Sequence, residues 1–324
     1  MRWLTPFRLV VVLVALVACA NPPHAQQLAG APAEIAELWQ EPVDLLERDL
    51  VNGPGGAELA PPPNGSYEFV AFKTSGTNPG YDVKDASGRM WSVKLGIEAQ
   101  SEVTTSRILW AMGYPQPASY FVPQFTLTGA DAGVKTVARF RTDLPKWRSA
   151  GEWSWYENPF ADTQPFRGLI VAQLVLNNWD MKTSNNRIYE ATDASATPRR
   201  QYMVRDVGSS LGHSKQFPLF ALLGTRGAQG SKNDLDDFEQ QGFIKEVEGN
   251  KVRFDYRGMN QALVDSVTVP DVIWACEQLA RIPDGHWNAA FKAGAYPQPH
   301  ADRYIRKIKE KIAQGLALKS QATR

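Results

Sequence analysis

The spacing of apolar and polar positions changes character along the chain. Residues 9–17 are an uninterrupted apolar run, and 33–50 carry Ile35, Leu38, Val43 and Leu46 at intervals that predict one helix. From Tyr67 the pattern shortens and alternates: strands over 67–73, 81–84 and 90–95, with turns at 75–80 and 87–88. A helical run over 98–112 follows, with Val103, Ile108, Leu109 and Met112 apolar and Gly113 as its stop. Residues 135–141 read as a further strand. Residues 164–177 are apolar nearly all round, as a buried central helix should be. Past Gly212 the chain reads as helices over 271–280, 284–292 and 300–318, with one hairpin, 243–247 and 251–256, turning at Glu248-Gly249-Asn250. Strands around one helix, then helices around one hairpin, make the class α+β.

The first apolar run has its own context. Arg2 and Arg8 flank its start, and Leu16-Val17-Ala18-Cys19 resembles the bacterial lipobox, so 1–18 reads as an export signal and Cys19 as a lipid-anchored residue. Cleavage by ordinary signal peptidase after Ala20 also fits the small residues Ala18 and Ala20, and both readings stand. The run is too short for a comfortable membrane span. Residues 19–65, rich in Pro, Ala and Gln and ending in Pro61-Pro62-Pro63-Asn64-Gly65, read as a tether.

At 324 residues, 43% hydrophobic and 10% aromatic, the chain can bury a core as one large domain or two lobes, and it is not disordered. Loss of the signal takes away two arginines and no acid, moving the formal charge from +1 to −1. No overall field recruits nucleic acid or acidic lipid. Membrane association is expected through the lipid anchor only. With Cys19 acylated or removed, Cys276 is the remaining thiol, which excludes an intrachain disulfide. The four histidines are too scattered for a local zinc motif.

The chemistry-bearing residues cluster after the 164–177 helix. Asp180 precedes Asn185 by five positions, and Asp206-Val207-Gly208 follows an apolar stretch. Taken singly, Asp180 and Asn185 are ordinary turn formers. Lys94 lies near the end of the third strand, with Glu98 and Glu102 on the next helix; Glu102 sits a turn in, while Glu98 suits the helix N-terminus by charge alone. Gly76 and Gly80 form a G-x-x-x-G loop that either covers phosphates with backbone N–H groups or merely joins two strands.

As an ordered set, Trp91-Ser92-Val93-Lys94, the 101–114 helix, Asn177 to Asn186 and Val204-Arg205-Asp206-Val207-Gly208 resemble the atypical protein-kinase-like fold, in its phosphatidylinositol-kinase-like, HipA-like and secretory-pathway branches. The resemblance implies two lobes: a small antiparallel-sheet lobe with one helix at 66–142 and a mainly helical lobe at 143–324. It implies ATP with Mg²⁺ or Mn²⁺, Lys94 and Glu102 on the phosphates, and Asn185 with Asp206 on the metal. Asp180 is then the base, and Lys182 neutralises charge on the transferring group. The implied partners are a nucleotide and a protein or small-molecule hydroxyl acceptor. Trp179 stands where protein kinases carry the arginine of His-Arg-Asp, and no Ala-Pro-Glu follows Asp206. These departures leave a non-catalytic binding module as the alternative. A third reading takes Gly208-Ser209-Ser210-Leu211-Gly212 as a hydrolase nucleophile elbow with Ser210 as nucleophile, although Arg205-Asp206 interrupt the apolar strand it needs.

Overall fold

The computed structural model describes residues 34–62, 64–74, 78–214 and 230–322. Five strands build the first lobe: β1 (Ser66–Phe72), β2 (Gly80–Lys84), β3 (Met90–Leu95), β4 (Ala118–Thr128) and β5 (Gly133–Thr142). They close into a barrel in the order β1-β2-β3-β5-β4. A closed ring with an odd number of strands cannot alternate direction all the way round. The sheet expected to be antiparallel therefore closes through one parallel pair, β1 with β4, from Ser66↔Thr126 to Glu68↔Thr128.

Alternation along these strands fills the barrel with Tyr67, Trp91, Val93, Phe125 and Phe140. The opposite side of β3 and β5 carries Ser92, Lys94, Arg139 and Arg141, brought together by the pairs Ser92↔Arg141 and Lys94↔Arg139. Strand β4 contains Pro123, which has no N–H to give; its register passes from Val122↔Ala138 to Gln124↔Thr136, and Val137 on the partner strand takes φ +54°.

Helix α1 (Glu98–Ala111) crosses from β3 to β4 and is buried on almost every side. Its Ile108 and Leu109 belong to the core of the second lobe, and Gln100 donates to the Gly294 carbonyl at 3.0 Å. The helix stops at Gly113, whose φ of +100° favours glycine and where a Cβ would lie 2.0 Å from the Gln40 carbonyl oxygen.

The second lobe holds an antiparallel sheet of β6 (Trp147–Gly151), β7 (Asn186–Ala191) and β8 (Arg200–Val204), and the hairpin β9 (Ile244–Glu248) with β10 (Lys251–Phe254). Its described helices are α2 (Gln164–Val175), α3 (Leu235–Gln240), α4 (Gln261–Val264), α5 (Val269–Ala280), α6 (Asp284–Ala293) and α7 (Gln298–Ala322). The molecule is thus α+β and two-lobed. Thr163 caps α2 by accepting from the Phe166 N–H, and the helix is buried from Gly168 to Val175. Trp153 and Trp155 pack against Phe166 and belong to the core.

One sequence expectation changes. Instead of one helix over 33–50, the chain makes 3₁₀ turns at Ile35–Glu37 and Leu45–Glu47, because Pro42 interrupts any continuous ladder. Leu38 and Leu45 are buried there, while Val43 is 88% exposed. This segment packs on α1: Trp39 Nε1 donates to the Met112 carbonyl at 2.7 Å, and Arg48 donates to that of Trp110. The basic residues of α7 are largely neutralised within the fold: Arg303 pairs with Asp236 and Glu239, Arg306 with Glu239 and Lys309 with Asp284. Lys311 is buried.

Candidate functional site

Strand β3 delivers Lys94 to the mouth between the lobes. Its Nζ lies 2.9 Å from Glu102 Oε2, 3.2 Å from Glu98 Oε2 and 2.7 Å from Asp206 Oδ2. Lys94 and Glu102 come from the first lobe and Asp206 from the segment after β8, so a single ammonium ties the two lobes together. Glu102, 1% exposed, is the hub behind it, its Oε1 lying 2.7 Å from Arg139 Nε and 3.2 Å from Arg141 Nη1. Arg141 also donates to the Arg205 carbonyl at 3.0 Å.

The charges set one another. Burial lowers the affinity of Lys94 for its proton, but Glu102 and Asp206 outweigh it and hold the ammonium above its ordinary 10.5. Burial acts to raise Asp206, yet Lys94 and Arg141 hold it well below the usual carboxylate range. Burial, reinforced by Arg139 and Arg205, pulls the Arg141 guanidinium down to about 9. At Glu98, burial is overcome by Lys94 and by Lys232, which bonds Glu98 Oε1, and the carboxyl is lowered.

The loop after α2 is held from several directions. Asn177, at φ +54°, turns the chain and donates to the Gly212 carbonyl at 2.6 Å; Asn178 Oδ1 accepts from the Asp180 N–H at 3.2 Å. Trp179 is buried and donates through Nε1 to the Ser231 carbonyl at 3.0 Å. The five-residue spacing from Asp180 to Asn185 closes on itself, since Asn185 Nδ2 donates to the Asp180 carbonyl at 2.6 Å. The Asn185 carbonyl accepts from the Arg205 and Asp206 N–H groups at 2.8 and 3.1 Å. Lys182 Nζ lies 3.0 Å from Asp180 Oδ2.

These groups border a cleft of about 410 Å³ lined from both lobes. Lys94, Asp180, Lys182, Asn185 and Asp206 line it, as does Gly80, where a Cβ would meet the Val93 carbonyl oxygen at 2.5 Å. Glu102 stands behind the wall. Gly76, Cys19 and the rest of the export signal lie outside the described residues. Asn185 and the Asp206 carboxylate offer hard oxygen donors, the kind Mg²⁺ and Mn²⁺ take, so the residues fit such an ion. Among the described residues no group of three or more His, Cys, Asp or Glu side chains gathers to hold a metal. An ion here would complete its shell with phosphate or water oxygens.

Sequence reasoning missed Arg139 and Arg141, treated Glu98 as mere end charge, and did not single out Lys232. The only signal for the arginines is their i, i+2 spacing, matching Ser92 and Lys94 across the sheet. Ser210 is fully buried and its hydroxyl donates to the Val207 carbonyl at 2.7 Å, so it is no exposed nucleophile.

No family model matches the chain, and no curated protein matches its sequence. Among solved structures it is similar to that of a Helicobacter pylori proinflammatory kinase, CtkA, with 12% identity and a TM-score of 0.46 over 81% of this chain and 99% of that one. It is also similar to the Golgi casein kinase with Mn/ADP bound, with 9% identity and a TM-score of 0.38 over 80% of this chain and 74% of that one. A third is the Rio2 kinase–ADP/Mg²⁺–phosphoaspartate complex from Chaetomium thermophilum, with 12% identity and a TM-score of 0.31 over 76% of this chain and 72% of that one. At such scores these likenesses add nothing to what the cleft displays.

Proposed function

We propose that this protein is a kinase-like phosphotransferase that passes the terminal phosphoryl group of ATP to a hydroxyl of a protein or small-molecule acceptor. One observation carries the reading: the Lys94 ammonium joins buried Glu102 of one lobe to Asp206 of the other, at a cleft that Asp180 and Asn185 also line. Lys94, held by Glu102, binds the phosphate chain, and the backbone at Gly80 covers it. Asn185 and Asp206 hold Mg²⁺ or Mn²⁺, which when bound offsets the negative charge on the phosphates. Asp180 accepts the acceptor's proton as its oxygen bonds to phosphorus; the bond to the bridging oxygen breaks and ADP leaves. Lys182 offsets the charge building beside Asp180. The hydrogen bonds around Asn178 and Asn185 hold the Asp180 loop in place.

Location belongs to the same proposal: export by the 1–18 signal and anchoring through an acylated Cys19, with the catalytic body outside the cytoplasm. Fatty-acid labelling lost in Cys19→Ser supports it; unlabelled mature wild type refutes it.

Thermal shift with ATP and Mg²⁺ or Mn²⁺ tests the activity reading at its first step. Wild type should be stabilised only when metal and nucleotide are both present, and Asp206→Ala should lose that response. No shift in either protein with any nucleotide sinks the enzyme reading and leaves the binding-module alternative.

A further inference from the structure

Resting on the phosphotransferase reading, we infer that the cleft recognises the polyphosphate chain of its donor and, among the described residues, presents no slot that reads a base. The walls around the Lys94–Asp206 contact are the ground for this. Eight of the side chains lining the cleft are Lys or Arg and four are Asp or Glu, while Val93 is its only aliphatic side chain among the described residues. Buried base-sized ligands are ordinarily held by apolar and aromatic walls with a few polar groups to orient them. Here the proportions are reversed.

Position by position the same holds. On the first-lobe side the sheet presents Ser92 and Lys94 beside Arg139 and Arg141. On the second-lobe side, Arg187, two residues after Asn185, and Arg205, immediately before Asp206, line the cleft. Residues 143–146, which follow β5, do not. Arg187 has a carboxylate, Glu152, at 2.8 Å. Arg205 has none among the described residues, and its buried Nε lacks a hydrogen-bond partner. A buried guanidinium N–H without an acceptor is costly, and an incoming phosphate oxygen supplies one in the geometry arginine favours. Arg141, already pulled down by burial and by Arg139 and Arg205, gains from the same anion. Both the charge and the unmet donor therefore ask for phosphate oxygens, which nucleoside triphosphates and inorganic polyphosphate share.

Calorimetric titration of the mature protein in Mn²⁺ with ATP, GTP, tripolyphosphate and adenosine separates the cases. The three phosphates should bind within about tenfold of one another and adenosine not at all. Arg205→Gln, whose backbone bonds to Asn185 and Arg141 do not involve the side chain, should weaken all three alike by about tenfold while keeping the wild-type unfolding midpoint. ATP binding about a hundredfold tighter than both GTP and tripolyphosphate overturns the inference and leaves the phosphotransferase reading standing. ATP and GTP binding alike with tripolyphosphate about a hundredfold weaker also overturns it, since the nucleoside is then read. Binding of none of the three removes the phosphotransferase reading and this inference with it.

Discussion

Ser101 Oγ donates to the Gly208 carbonyl at 2.7 Å, fastening helix α1 to the turn that follows Asp206. The contact is possible because Gly208 has no side chain: a Cβ there would lie 3.0 Å from Glu98 Cβ and 3.4 Å from Glu102 Oε2. The carboxylates that hold Lys94 and the turn that carries Asp206 are therefore positioned by one another.

Gly208→Ala should push that turn off α1 and destabilise the protein by about 1–3 kcal/mol, the usual range for overpacking. Ser101→Ala, which removes only the hydrogen bond, should cost about 1 kcal/mol. Urea unfolding midpoints of the two variants check the order, and Ser101→Ala as the worse of the pair would contradict it.

Glu102→Gln should be far more damaging than any surface charge deletion. It leaves Arg139 and Arg141 buried with their shared countercharge gone while Lys94 keeps Glu98 and Asp206, a loss of about 3–5 kcal/mol for breaking a buried pair. Lys319→Ala removes a half-exposed partner of Glu277 and should cost less than about 1 kcal/mol. Chemical denaturation of both variants measures the gap.

The Lys94–Asp206 pair should be indifferent to pH over the middle of the scale. Asp206 is depressed, so its contribution is complete above the ordinary carboxylate value of 3.8 and is lost as pH falls through its lowered value. Lys94 is raised, so its contribution is complete below 10.5 and is lost as pH rises through its elevated value. The stability difference between wild type and Lys94→Met should stay flat from about pH 5 to 9. A step in that window, seen by unfolding at fixed pH intervals, argues against the pair.

Lys311 behaves the opposite way. Its Nζ is buried, donating to Asn177 Oδ1 at 2.7 Å and to the Val175 carbonyl at 3.1 Å, beneath the loop that leads to Asp180. Burial, with Lys307 nearby, lowers it well below 10.5. In the window between the two values the unfolded chain holds the extra proton, so wild-type stability rises with pH there. Lys311→Met should remove that rise, which stability curves across the alkaline range will show.

The sequence made the larger divisions legible because their periodicities are strong: β1 to β3, α1 and α2 stand near the expected positions. Lys94 and Glu102 could be paired on paper since a strand leading directly into a helix keeps them close. What stayed hidden depends on distant partners. Strand β4 is hidden by Pro123, a residue that usually argues against a strand interior; opposite it, Val137 takes a left-handed conformation. The arginines of β5 look like solvated strand residues until the barrel closes and turns them toward Glu102. Lys232 reaches Glu98 from 134 residues away, a relation no local pattern encodes.

The most direct test of the proposed chemistry is a Mn²⁺ titration followed by electron paramagnetic resonance, with and without a non-hydrolysable ATP analogue. Mn²⁺ should bind tightly only with the analogue present, with resolved coupling to phosphorus, and both Asn185→Ala and Asp206→Ala should abolish that signal while remaining folded. Mn²⁺ binding that ignores the analogue, or that survives in both variants, would contradict a metal-bound phosphate chain held between Lys94 and Asp206.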